Sequence, residues 1–181
     1  MSTCQDCPDV PHGVSRHLID KYTRDHQLLR LVHRARKLDH EHDLPYLAGY
    51  STDGETIYID RHLPKELTGE LDGRKYRFDP VPFLQTHESW EKALIDHFGW
   101  KYGPAHQVAT KIEHRQVLAH GIPIHLYDGK GSELQKYIKA DEHEKLKKVP
   151  QDLDLTPYHG DHRLLNKLVN AMGRAHEKHK S

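Results

Sequence analysis

Two stretches of this chain, each bracketed by helix-breaking residues, constrain most of what it can build. Pro80 and Pro82 precede a run with helically spaced apolar residues that stops at Gly99, and Pro104 opens a second run that stops at Gly121. Proline suits the first turn of a helix, where its missing N–H costs nothing, and glycine suits the position just past the end. The pattern predicts helices over about 83–98 and 104–120. Only Lys101-Tyr102-Gly103-Pro104 joins them, so they should pack antiparallel as neighbours.

Around this pair the sequence is more varied. Residues 1–14 carry Pro8, Pro11 and Gly13 and read as irregular. Ser15 is a candidate cap for a helix to about Asp39, with Leu18, Ile19, Tyr22, Leu28, Leu29, Leu31, Val32, Ala35 and Leu38 on its apolar side. Tyr46–Tyr50 and Glu55–Asp60 flank Asp53-Gly54, a hairpin signature. In the second run Thr56, Tyr58 and Asp60 should face one way, and Ile57 and Ile59 the other. Lys75–Phe78 can form a short strand. A charged helix is expected at about 132–148 and a last helix at about 160–178. The order reads as α+β and mainly helical, with a small β-hairpin or antiparallel sheet preceding the helix pair. Residues 1–14 are expected to be an irregular terminus, 15–125 the core domain, and 126–181 its C-terminal helical extension.

The first helix of the pair carries His87-Glu88-Ser89-Trp90-Glu91, an H-E-x-x-E sequence. At 100° per residue His87 and Glu91 lie about 40° apart, one turn along the same face. Leu94 and Phe98 continue that stripe, so two polar side chains occupy an apolar face, where a carboxylate needs a partner or a metal. An imidazole and a carboxylate at this spacing can hold two corners of a metal tetrahedron. Glu88, rotated about 100° away, can reach a metal-bound water as general base. His106 and Glu113 on the second helix are about 20° apart in projection, and both are candidates for further ligands. Zinc is the expected ion, and mixed His/carboxylate ligands also suit Mn2+ or Fe2+.

The order of strand, His-Glu helix and second helix resembles the zincin metallopeptidases in minimal form, over about residues 46–120. In that family an edge strand beside the active-site helix binds extended substrate. The resemblance implies His87 as first zinc ligand, Glu88 as base, Glu91 in place of the usual second His, and His106 or Glu113 as third ligand. The sequence departs from the family at Glu91, where a carboxylate makes the metal less Lewis-acidic, and it shows neither a Met-turn nor an extended third-ligand motif. Together with Tyr46–Gly54 and Ile57–Arg61, the motif also resembles uncharacterised bacterial and phage-borne proteins.

Other residues weigh less. Asp60 and His62 end the strand nearest the motif and are candidates for ligand or substrate contact, although solvated turn side chains are the plainer reading. Tyr58 and Tyr102 are candidate oxyanion donors. Cys4-x-x-Cys7 lacks an evident second ligand pair unless His12 and His17 supply it, so a reduced, irregular terminus is expected. The chain holds 18 His; those at His40–His42, His143 and His176–His179 sit in expected loops or charged faces and read as solvated. Lys+Arg and Asp+Glu are both 27, giving zero net charge. That balance argues against nucleic-acid binding through Arg30–Lys37 or Lys145–Lys148. Mean hydropathy is −0.87, and no apolar run reaches the roughly 18–20 residues of a membrane span. With no signal-like N-terminus, a cytoplasmic protein is expected. The sequence therefore points to a metal-dependent hydrolase of peptide or other amide bonds. Its alternative is a non-catalytic phage or bacterial interaction protein whose His/Glu cluster is a structural metal site or a buried polar network.

Overall fold

The computed structural model describes residues 16–139 and 146–178. Cys4, Cys7, His12, Ser15 and His143 lie outside them, as do the side chains of His17 and His176–His179. The run expected as one helix to Asp39 is instead three elements: α1 (Arg16–Tyr22), α2 (His26–Val32) and strand β1 (Lys37–Asp39). Side-chain hydrogen bonds cause the break. The Thr23 hydroxyl turns back to the carbonyls of Ile19 and Asp20, beside its own amide bond to Ile19, where α1 closes. Asp25 then caps α2, accepting from the amides of Gln27 and Leu28 at 2.9 and 3.0 Å. At the far end the Arg36 guanidinium donates to the carbonyls of Leu31, Val32 and Gly54. Arg34 pairs with Glu55 and Lys37 with Asp39. Arg36 is thus spent on the fold, while Arg30, Arg34 and Lys37 stay exposed.

β1 lies parallel to β3 (Thr56–Ile59), and β2 (Ala48–Tyr50) lies antiparallel on the other side of β3. The hairpin is the one the Asp53-Gly54 turn predicts, with Tyr50 opposite Ile57 and Gly49 opposite Tyr58. Both of its faces are covered. Ile57 and Ile59 pack with Phe83, Leu84 and Val117, while Tyr58 packs with Leu153, Leu164 and Leu168. A second hairpin joins β4 (Leu67–Leu71) to β5 (Arg74–Phe78). Its turn puts Asp72 and Gly73 at φ 50° and 76°, the pair of left-handed residues that a two-residue hairpin loop requires.

α3 (Val81–Phe98) and α4 (Tyr102–Ala119) form the expected helix pair. Gly99 ends α3 at φ 64°, its amide bonding the Ile95 carbonyl. Ala93 and Leu94 of α3 pack with Ala105, Val108 and Ala109 of α4; the small residues let the two backbones approach. α1 and α2 add Ile19, Leu28 and Val32 to this cluster. Phe98, expected on the buried stripe, is 37% exposed where α3 runs out.

After α5 (Ile124–Tyr127) comes α6 (Glu133–Lys139), and residues 146–148, the end of the expected 132–148 helix, are not helical. Lys147 and Lys148 are drawn out of helix because both amides donate to the buried Asp43 carboxylate, at 2.8 and 2.7 Å. A 3-10 turn at Thr156–Tyr158 precedes α7 (His162–Lys178). The fold is α+β and mainly helical. Among the described residues no helix is long and apolar enough to cross a membrane.

Candidate metal centre

α3 delivers His87 and Glu91 from successive turns to one buried spot, and α4 brings His106, one turn past its start, to meet them. The Nδ1 of His106 lies 2.8 Å from Glu91 Oε2 and 3.0 Å from His87 Nε2, and the last two atoms are 3.4 Å apart. Among the described residues this is the one group of three or more His, Cys, Asp or Glu side chains whose ligand atoms converge. Glu91 is 2% exposed and the side chain of His106 45%, so the group is closed on the α3 side and open on the α4 side.

Each ligand is held from behind. The Tyr50 hydroxyl, reaching across from β2, donates to the other Glu91 oxygen, Oε1, at 2.9 Å. Glu113 sits on Nδ1 of His87 at 2.8 Å and takes a 2.5 Å hydrogen bond from the Tyr127 hydroxyl of α5. Glu113, expected as an alternative third ligand, therefore offers the group no oxygen: it stands on the side of the imidazole away from Nε2. That bond holds a proton on Nδ1 and turns Nε2 toward the group, where a bound cation would displace the second proton of the imidazolium. A carboxylate–imidazole pair with its free nitrogen aimed at carboxylate and imidazole donors is the arrangement a bound cation uses.

The donor set fits such an ion. Bonds of about 2.0–2.2 Å at tetrahedral angles place neighbouring ligand atoms roughly 3.3–3.5 Å apart. The His87–Glu91 separation meets this already, and His106, half-exposed near the start of its helix, needs to withdraw from Glu91 by roughly half an ångström or slightly more.

Charge reinforces the point. Glu88, Glu91 and Glu113 are all buried, against two imidazoles. Burial draws His87 toward its neutral form, but its bonds to Glu113 and Glu91 outweigh this and hold its pKa well above 6.5. Burial likewise opposes ionisation of Glu91, and the bonds from His106 and His87 overcome it, pulling its pKa down to about 2. Glu88 has no such bond, and burial first and the Glu91 charge second push it up to about 8. A carboxyl near neutrality can take and return a proton at ordinary pH.

The remaining expectations divide. Tyr102 is at the site, its hydroxyl 3.3 Å from His106 Nδ1 and its ring stacked on that imidazole. Tyr58 is not, since its hydroxyl donates to Asp152 at 2.6 Å. Asp60 is a buried loop staple that accepts from the amides of Leu44 and His62. His62 bonds Asp43 on the same side of the loop. His42, expected to be solvated, pairs with Asp39. Sequence reasoning missed Tyr50 and Tyr127. Tyr50 had a signal, because pairing across the Asp53-Gly54 turn sets it opposite Ile57, on the face turned toward α3; Tyr127 had none. No protein-family model matches the chain, and no curated protein or solved structure resembles it.

Proposed function

We propose that His87 Nε2, Glu91 Oε2 and His106 Nδ1 hold a divalent metal, zinc by preference, and that the protein is a metal-dependent hydrolase of amide bonds. The observation that carries this reading is the convergence of the three atoms within 3.4 Å of one another, with Tyr50 and Glu113 behind them. A bound cation would supply polarisation of the carbonyl and acidification of water. Glu88, next to His87 on α3, takes the proton of the attacking water and returns it to the nitrogen as the C–N bond breaks. Tyr102, on the open side, donates to the carbonyl oxygen as it gains charge. Peptides and other amides are the substrate class.

The test is Glu88→Gln in protein purified without a His-tag. Metal should stay at one per chain by elemental analysis, while turnover of amide substrates disappears. Loss of metal would make Glu88 a ligand, and undiminished turnover would remove it from the mechanism. A second reading, a structural metal site or polar network in a non-catalytic interaction protein, draws on the near-complete burial of His87 and Glu91. It predicts wild-type protein that turns over nothing.

A further inference from the structure

The β-strand beside α3 is β2, an edge of the three-stranded sheet in which β3 is central and β1 forms the opposite edge. An extended chain entering the site along the sheet would need the outward N–H and C=O groups of β2 and of the residues just after it. At Tyr50 and Thr52 the chain itself uses them. The Thr52 amide donates to the Asp152 carbonyl at 2.8 Å, the Asp154 amide donates to the Tyr50 carbonyl at 2.9 Å, and Ser51 and Leu153 form an antiparallel bridge.

This cover is anchored on both sides. The Asp152 carboxylate accepts from Tyr58, and Asp154 pairs at 3.3 Å with Lys92, which is itself buried and lies over the Tyr50 ring. Leu153 is 2% exposed and passes so close to Gly49 that a Cβ there would fall 3.1 Å from its Cδ1. Just upstream, Asp43 holds the amides of Lys147 and Lys148. Beyond the cover, Tyr158 is buried, with its ring stacked on the half-exposed Tyr46.

What stays open is the α4 side, where His106 and Tyr102 reach the surface. We infer that the metal centre receives a compact ligand, a small carbonyl compound or the free end of a chain, past His106 and Tyr102. It does not receive the middle of an extended polypeptide laid along β2. This rests on the metal-centre reading and narrows it: residues 152–154 take the Tyr50–Thr52 end of the sheet edge, which a substrate backbone lying along β2 would need, and a ligand must be recognised by its end.

The experiment uses the full chain loaded with Co2+, whose visible spectrum reports its ligands. Two probes are titrated in: acetohydroxamic acid, and a succinyl-tetrapeptide ending in a hydroxamate. Both are expected to shift the spectrum, with dissociation constants within about threefold of each other. A peptide probe that binds tighter by about tenfold or more, with the gain falling as the peptide is shortened, overturns the inference and shows that the 152–154 cover moves aside. A cobalt spectrum that neither probe alters also overturns it, because the ion is then closed to ligands, while the metal reading itself stands. Failure to bind cobalt removes the metal reading at the loading step, before either probe is added.

Discussion

Glu113→Gln separates a residue that holds a ligand in place from one that is a ligand. In the wild type one carboxylate oxygen faces His87 Nδ1 and the other accepts from Tyr127. Glutamine keeps the size but has one acceptor oxygen. If that oxygen stays with Tyr127, the amide NH2 faces His87 Nδ1, and the imidazole must move its proton to Nε2, where it points at the metal position. If it stays with His87, the short bond from Tyr127 is lost. Changes to such partners cost about 10–100-fold in metal affinity; thirtyfold is a working value. With free metal at about 100 times the wild-type Kd, binding stabilises the wild type by about 2.7 kcal/mol and the variant by about 0.9 kcal/mol. For a chain of this size, at roughly 2–4 °C per kcal/mol, metal should raise Tm by about 5–11 °C in the wild type and about 2–4 °C in the variant. Chelator-competition titration and melting curves with and without metal measure both quantities. An unchanged affinity would refute the role given to Glu113 behind His87, and complete loss of binding would make it a ligand.

Three further outcomes are expected. Tyr50→Phe strips a buried hydrogen bond from the Glu91 carboxylate and should cost about 1–3 kcal/mol in metal-free denaturant unfolding; a neutral result would mean that Oε1 finds another donor. Asp25→Ala removes the α2 cap and should lower the denaturant midpoint with no effect on metal binding, read from the same titrations; an unchanged midpoint would mean that the cap is dispensable. Asp39 is burdened by burial, yet bonds from the Glu41 amide, His42 and Lys37 lower its pKa to about 2. A carboxylate depressed in this way adds stability that is complete above its unfolded pKa and lost as pH falls toward the folded value. Asp39→Asn should therefore flatten the loss of stability between about pH 4 and pH 2 in acid titrations of unfolding, leaving the profile above pH 5 parallel to the wild type.

The helix pair and the first hairpin were legible because their boundaries rest on local chemistry: Gly99 in the left-handed region, Pro at the start of each helix, Asp53-Gly54 between alternating strands. His87 and Glu91 could be placed together because a helix has a fixed period, and His106 because the link between the helices is short. The failures have two causes, local side-chain capping and long-range contact. Residues 16–39 have a helical pattern, yet Thr23 and Asp25 rebuild their local hydrogen bonds, and the strand at Lys37 exists because β3 is there to pair with. Lys147 and Lys148 read as helix until Asp43, distant in sequence, claims their amides. The choice between His106 and Glu113 turned on which side of the His87 ring each occupies, and helix period alone does not carry that. Tyr127 reaches Glu113 through a short helix that sequence pattern did not reveal.

The most direct test is anomalous scattering from a crystal of the tag-free protein grown with one equivalent of zinc, recorded on both sides of the zinc edge. One peak bonded to His87 Nε2, Glu91 Oε2 and His106 Nδ1, with Glu113 still on His87 Nδ1, is the expected result. Zinc sites elsewhere, or these three side chains still hydrogen-bonded to one another in the presence of excess metal, would contradict it.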